Sequence, residues 1–390
     1  MVEWKKLGEI CDIKGRIGFR GYTREDQVEK GQGAISLSPG NITDDTLVYD
    51  SCTYITWEKY NESPEIMVNE GDIILCKTAS VGKVARIKKL PEKATINPQL
   101  VVLKNISINP QYIFYVFTDY PFQTKIKGLA GVGSVPNVSQ AKLSQILIPV
   151  PSLEEQNRIV GILDTFTDSI ENLKQQIAQR RKQYEHYRDQ LLDLEGKPNE
   201  DIKKFGDYCT MIKGNGVQKT DFVDIGIGCI HYGQIYTHYG SFTYTTNKFV
   251  SKEVFEKARK ASMGDIIMTD TSENVEDICK SVAYLGEDDI AVSNHALIIK
   301  HEQNPKFLSY STQTNSFFKQ KQKCAYGVKV TGIKPEHLAK FRIYLPSLSE
   351  QQRIVSILDT FEASISNLEA QLAQRQKQYE YYRNQLLTFE

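Results

Sequence analysis

The strongest constraint on this chain is an internal repeat. PSLEEQNRIVGILDTFTDSIENLKQQIAQRRKQYEHYRDQLL, residues 151–192, aligns without a gap on PSLSEQQRIVSILDTFEASISNLEAQLAQRQKQYEYYRNQLL, residues 346–387, and about 30 of the 42 positions are identical. The offset of 195 is half of the 390 residues, so the chain is expected to fold as two equivalent halves. Each copy opens P-S-L-x-E, with Ser152 and Ser347 three residues before Glu155 and Glu350, the capping-box signature of a helix start.

Downstream of each start, apolar residues recur in alternating steps of four and three, the spacing of a coiled-coil seam. The seam reads Ile159, Leu163, Phe166, Ile170, Leu173, Ile177, Tyr184, Tyr187 and Leu191 in the first copy, and Ile354, Leu358, Phe361, Ile365, Leu368, Leu372, Tyr379, Tyr382 and Leu386 in the second. One charge breaks it at the same place in both, Arg180 and Arg375, and such a coincident break is expected to fix register and pairing, with a docking contact as the alternative. Gly196 and Pro198 in EGKPNED stop the first helix and start a linker.

The intervals between the copies read as mixed α/β domains of short strands: AISL, DIILC, QLVVL and ILIPV in the first, DIIM, HALIIK and FRIYL in the second. They share only landmarks: WKKLGEIC with IKKFGDYC, EGDIILCKTAS with MGDIIMTDTS, INPQYIFY with QNPKFLSY. The expected partition is a head over 1–150, a helix over 151–194, a linker over 195–201, a second head over 202–345 and a second helix over 346–390.

Two near-identical amphipathic helices with a narrow apolar stripe are expected to bury their seams against each other, antiparallel about a pseudo-twofold axis. Roughly 38 residues at about 1.5 Å each give about 57 Å, a ruler between two heads. A repeated scaffold carrying divergent heads suits two copies of one partner and two different targets. Duplex DNA fits, since its reading heads recur about one helical turn, ~34 Å, apart.

The helix starts VPSLEEQNRIVGILD and LPSLSEQQRIVSILD, given twice at half-chain spacing, closely resemble those of the DNA-specificity subunit of type I restriction-modification systems. The resemblance covers essentially the whole chain, although the heads match only in their landmarks. It implies two target-recognition domains, each reading one half of a split, asymmetric site in double-stranded DNA. It also implies two helices that dock two methyltransferase subunits and, through them, restriction subunits. No catalytic activity is implied for this chain; S-adenosylmethionine for adenine-N6 methylation, and ATP and magnesium for restriction, belong to the partners.

The residues themselves show no active site. There is no G-x-x-x-x-G-K-[ST] phosphate loop, no H-E-x-x-H and no G-x-S-x-G. GLAGVGS, 128–134, lacks the strand, helix and acidic residue of a dinucleotide site and is expected to be a turn or a close approach to DNA. NPQY, 109–112, has one proline too few for the base-holding motif of adenine methyltransferases and recurs as NPKF, 304–307, so a repeated helix start is expected. His186, His231, His238, His295, His301 and His337 show no metal-ligand spacing, and the seven scattered cysteines form no C-x-x-C pair and are expected to be reduced. No secretion signal or membrane span is recognisable, which points to a cytoplasmic protein. Net charge is zero, so binding to a polyanion has to come from a local face.

Readout of base edges calls for Arg, Lys, Asn and Gln on loops of a rigid head. The candidates are Arg16, Arg20, Lys77, Ser80, Lys83, Lys127, Ser134 and Asn137 in the first head. In the second they are Lys213, Asn215, Gln218, Lys219, Tyr232, Gln234, Lys323, Tyr326 and Lys329. Arg181, Lys182 and Lys377 on the helices are candidates for phosphate contact or partner docking. The competing readings are a coiled-coil scaffold whose heads bind proteins, and a chain that modifies DNA itself, which lacks a cofactor motif.

Overall fold

The computed structural model describes residues 2–16, 21–131, 135–327 and 331–389. The chain divides into two compact units, Met1–Lys174 with Gln371–Glu390, and Gln175–Ala370. Each unit holds one head, one end of the 40-residue helix Leu153–Leu192 and the opposite end of the 40-residue helix Leu348–Leu387.

The first head is two packed sheets. One runs Val84–Arg86, Ile73–Cys76, Leu100–Lys104, Asp12–Gly15, all antiparallel. The other runs Gln27–Val28, Thr53–Thr56, Gly33–Leu37, Ala94–Ile96, Met67–Val68, with one parallel pair. The unbroken apolar run of DIILC follows from burial on both faces, because alternate side chains of a strand point to opposite sides. Ile74 and Cys76 pack against the second sheet with Ile35 and Leu37, whereas Ile73 and Leu75 face Tyr112, Val116 and Phe117 of helix Pro110–Thr118. Strand Glu3–Lys6 pairs with Leu147–Val150, closing the head just before the long helix begins.

The second head repeats this plan. Cys209–Lys213, Ala296–His301, Ile266–Thr269, Ser281–Tyr284 and Phe242–Thr243 form one sheet, and Phe222–Val223, Lys248–Val250, Ile227–Ile230, Ile290–Val292 and Arg259–Ala261 the other. Ile267 and Ile298 fill the space between the sheets, while Ile266, Met268, Leu297 and Ile299 face Phe307, Leu308 and Tyr310 of helix Pro305–Ser311. The fold is the mixed α/β repeat with paired long helices that the sequence implies.

Each long helix starts on its serine: Ser152 Oγ accepts from the Glu155 N–H and Ser347 Oγ from the Glu350 N–H, both at 3.3 Å. Glu155 and Glu350 do not complete a reciprocal box, since each engages the arginine three residues on, Arg158 or Arg353, through both carboxylate oxygens at 2.7–2.8 Å. The following glutamine is the structural joint. Gln156 donates to Pro151 O (2.8 Å) and accepts from the Asn109 N–H (2.9 Å). Gln351 donates to Pro346 O (2.9 Å) and to Gln303 Oε1 (2.9 Å), and accepts from the Asn304 N–H (3.0 Å). Asn109 and Asn304 cap Pro110–Thr118 and Pro305–Ser311, so NPQY and NPKF are helix starts tied to the long helices.

The seam divides its duties. Ile159 and Leu163 are buried in the first head's core and Ile354 and Leu358 in the second head's, so the first two positions of each seam serve head as well as helix. Leu173 and Ile177 are buried, whereas Ile170, Ile365, Leu368 and Leu372 are half-buried. At the far ends Leu192 and Leu387 are buried in preference to Leu191 and Leu386, the one-residue drift expected when a 3.6-residue helix meets a 3.5-residue pattern. In the first unit Phe166 stacks on Tyr382 at 5.2 Å and 26°, with the Arg375 guanidinium 5.6 Å over the same ring. In the second unit Phe361 stacks on Tyr187 at 5.3 Å and 30°, with Arg180 at 5.9 Å. Both contacts join the early part of one helix to the late part of the other, so the pairing is antiparallel in each unit. The seam arginines are accommodated as face-on cations, and Tyr184 and Tyr379 pack against the cores of the second and first heads.

Candidate nucleic-acid interface

In both heads some of the candidate readers gather at one edge of the central sheet, past the ends of strands Ile73–Cys76 and Ile266–Thr269. In the first head the residue after the strand is Lys77. Its N–H donates to Gln99 O (2.9 Å) and its carbonyl accepts from the Val138 N–H (2.8 Å). The next residue, Thr78, donates to Asn137 Oδ1 at 2.7 Å, and the Ala79 N–H donates to Pro136 O. Lys77, exposed Ser80 and Asn137 therefore come from two loops into one face. Ala79 holds φ +64°, a left-handed conformation unusual for a residue with a Cβ and of the kind found where a loop is constrained for function. Lys83 turns its ammonium to Pro39 O and Ile42 O at 3.4 and 3.2 Å, and exposed Lys127 lies on helix Tyr120–Leu129, whose Gln123 donates to Gly82 O.

Arg16 departs from its expected role. It is 6% exposed, donates through Nε to Ile96 O at 3.3 Å and through Nη2 to Thr95 Oγ1 at 3.5 Å, and burial lowers its pKa, so its guanidinium serves the head's interior. Arg20, Ser134 and Lys329 lie outside the described residues.

In the second head the corresponding residue is Asp270, whose N–H donates to His295 O (3.1 Å) and whose carbonyl accepts from the Ile333 N–H (3.0 Å). Lys213 ends the outer strand Cys209–Lys213, beyond Ala296–His301, and places its ammonium 2.9 Å from Asp270 Oδ2. Tyr232 packs edge-on against His295 at 5.3 Å, and its N–H donates to Ser293 Oγ (2.8 Å). Asn215 Oδ1 accepts from the Arg259 N–H, while Gly216 N–H donates to Asn294 Oδ1. Strand Thr271–Ser272 pairs with Thr331–Gly332, and Gly332 in turn exchanges backbone hydrogen bonds with Tyr326, bringing this 53%-exposed ring to the same edge. Lys213, Asn215, Tyr232 and Tyr326 are thus assembled, together with His295 and Asp270, which sequence reasoning did not single out. His295 has φ +64°, a backbone state no sequence pattern announced.

Other candidates fall elsewhere. Gln234 is buried and spends its amide on the His231 N–H and Asn247, which makes it a cap of helix Tyr232–Thr237 and removes it from the surface. Gln218 and Lys219 are exposed at the turn before strand Phe222–Val223, and Lys323 is exposed in the last turn of helix Asn315–Cys324. Arg181 is engaged with Glu369 at 2.5 Å. His231 Nδ1 accepts from the Gly233 N–H, and burial lowers its pKa. Among the described residues no three His, Cys, Asp or Glu side chains form a metal-holding group, and no helix is long and apolar enough to cross a membrane. GLAGVGS begins in the last turn of helix Tyr120–Leu129, and its residues 132–134 lie outside the described residues. All seven cysteines are free, and burial pushes those of Cys11, Cys209, Cys229 and Cys279 up to about 12.

A family model described as the type I restriction modification DNA specificity domain matches residues 1–180 and 221–375. A putative type I restriction enzyme specificity subunit of Haemophilus influenzae is 29% identical over 299 residues, covering 72% of this chain and 73% of that protein. The EcoR124I/EcoR124II specificity subunit of Escherichia coli is 29% identical over 276 residues, 65% of either chain. In fold, the chain is similar to the S subunit of a type I restriction-modification system from M. genitalium, with a TM-score of 0.56 at 13% identity over 100% of this chain and 97% of that one. A chain from a type I restriction-modification assembly gives 0.59 at 16% identity over 99% and 97%. With the family match spanning most of both heads and part of each long helix, this chain belongs to the type I restriction-modification DNA-specificity family, as a specificity subunit, the non-catalytic component that confers recognition of a DNA sequence.

Proposed function

We propose that the two heads read the two halves of one split, asymmetric site in duplex DNA, and that the paired helices carry two methyltransferase subunits and, through them, restriction subunits. The observation that carries this reading is that the two edges share a backbone frame hydrogen bond for hydrogen bond, around Lys77 and around Asp270, while the side chains they carry differ. Equal readers suit a palindrome; unequal readers suit two different half-sites. The helix surface repeats instead of diverging: exposed Arg158–Glu155 and Arg353–Glu350 pairs stand at equivalent places, as two copies of one partner require. S-adenosylmethionine, ATP and magnesium act on those partners, which perform adenine-N6 methylation and restriction.

The test is selection from a random duplex library by the complex of this chain with its methyltransferase subunits. A split motif is expected, with binding that weakens steeply as salt rises. Lys77→Ala is expected to relax one half of that motif only. Relaxation of both halves, or binding indifferent to sequence, contradicts the reading.

A further inference from the structure

The two reading edges use one frame with different charged side chains set in it. Strands Ile73–Cys76 and Ile266–Thr269 pair in the same register with their central neighbours, Cys76 opposite Leu100 and Thr269 opposite Ala296. On that register Lys77 corresponds to Asp270, and Gly15, opposite Val101, corresponds to Lys213, opposite Leu297. The first head thus offers a lysine from the inner strand and glycine beside it. The second offers a lysine from the outer strand with an aspartate in the place of the first lysine.

Among the described residues no ion pair involves Lys77, whereas Lys213, 61% exposed, is held 2.9 Å from Asp270, 5% exposed. Asp270 Oδ1 is buried with no hydrogen-bond partner among the described residues. A half-satisfied buried carboxylate is a costly way to stabilise a fold, and its backbone contacts to His295 and Ile333 need no carboxylate at all. The carboxylate offsets the pull of Lys213 on phosphates and holds its ammonium at the edge, 2.9 Å away. A neutralised ammonium held in place suits the acceptor edge of a purine, O6 and N7 of guanine, better than it suits a backbone phosphate.

We infer that Asp270 is a positioning residue that turns Lys213 into a base-edge donor, so that the second head requires a guanine at one position of its half-site. The inference rests on the reading of the heads as DNA readers. The test uses the intact complex with its methyltransferase subunits on duplexes carrying the selected motif, each base pair of it substituted in turn, over a range of salt.

Asp270→Asn is expected to lower discrimination at one guanine position by roughly ten-fold or more. It is also expected to tighten binding to unrelated duplex and to steepen the slope of log affinity against log salt by up to about one, because a positive charge is unmasked. Lys213→Ala is expected to lose the same discrimination, and the double variant no more than Lys213→Ala alone, since one acts through the other. Lys213→Arg is expected to retain a guanine preference, a rescue that a merely structural ion pair at a lost reading edge would not give. Unchanged discrimination in Asp270→Asn, or additive losses in the double variant, overturns the inference while the DNA-reading function stands. Sequence-indifferent binding by the unaltered complex overturns both.

Discussion

Replacing Gln351 with leucine probes how a head is fixed to its helix. Gln351 is fully buried and makes three hydrogen bonds, to Pro346 O, Gln303 Oε1 and the Asn304 N–H. Leucine is close in volume, so the cavity contribution is small, and the loss is that of leaving the Asn304 donor and the Pro346 acceptor without partners. At about 1–3 kcal/mol for each unpaired group, the second unit is expected to lose roughly 2–6 kcal/mol. For a unit of this size about 1 kcal/mol moves the melting temperature by ~2–4 °C, so the unfolding transition of the second unit is expected to fall by about 4–24 °C. Gln156→Leu leaves the equivalent Asn109 donor and Pro151 acceptor without partners in the first unit and is expected to cost about as much. Amide hydrogen exchange on the whole chain separates the units: Gln351→Leu should speed exchange in the helix Pro305–Ser311 and leave Pro110–Thr118 as it was. Unaltered protection at Pro305–Ser311, or equal loss in both helices, would show that this glutamine is not the joint.

Three further outcomes follow from the geometry. Burial, reinforced by Asp359, raises the Glu362 carboxyl above its ordinary value despite hydrogen bonds from Ser241 and Tyr310, so the folded state holds its proton more tightly than the unfolded one. That contribution is present below the unfolded glutamate pKa, ~4.3, and is lost as pH rises through the folded value. The stability of Glu362→Gln relative to the natural chain is therefore expected to increase from pH 4 to 7 in denaturant titrations, and a pH-independent difference contradicts the assignment. Tyr382→Ala and Tyr187→Ala, which remove matching ring stacks, are each expected to cost about 1 kcal/mol beyond the lost burial; costs differing by more than ~2 kcal/mol between the units would refute their equivalence. Asn137→Ala, by releasing Thr78, is expected to weaken recognition in the first head's half-site without lowering thermal stability by more than about 1 kcal/mol; an equal loss in the other half-site speaks against separate readers.

The repeat, the long helices and the buried strands were legible because each leaves a local, periodic mark: DIILC and HALIIK are apolar on both faces, and the serine caps stand at fixed spacing. What the seam packs against was not legible, since the same steps of three and four in Ile159 and Leu163 serve a helix partner or a head. Nor was the duty of Gln156 and Gln351, whose partners Asn109 and Asn304 lie 47 residues away in the chain. Lys77 and Asn137 could be proposed from residue type and loop position. Arg16 and Gln234 satisfy the same criterion, yet are consumed by Ile96 O and by the His231 N–H. Residue type does not announce Asp270, because a carboxylate repels the phosphates of DNA unless a lysine such as Lys213 stands beside it.

The central claim is that one chain supplies two different readers for one split site. Single-molecule sequencing of methylated adenine in cells that express this chain with its cognate methyltransferase subunit, compared with cells lacking only this chain, tests it most directly. The account predicts one new motif, divided and non-palindromic, with a fixed number of unspecified base pairs between its halves. No new motif from a stable complex of the two proteins, or a palindromic one, would contradict it.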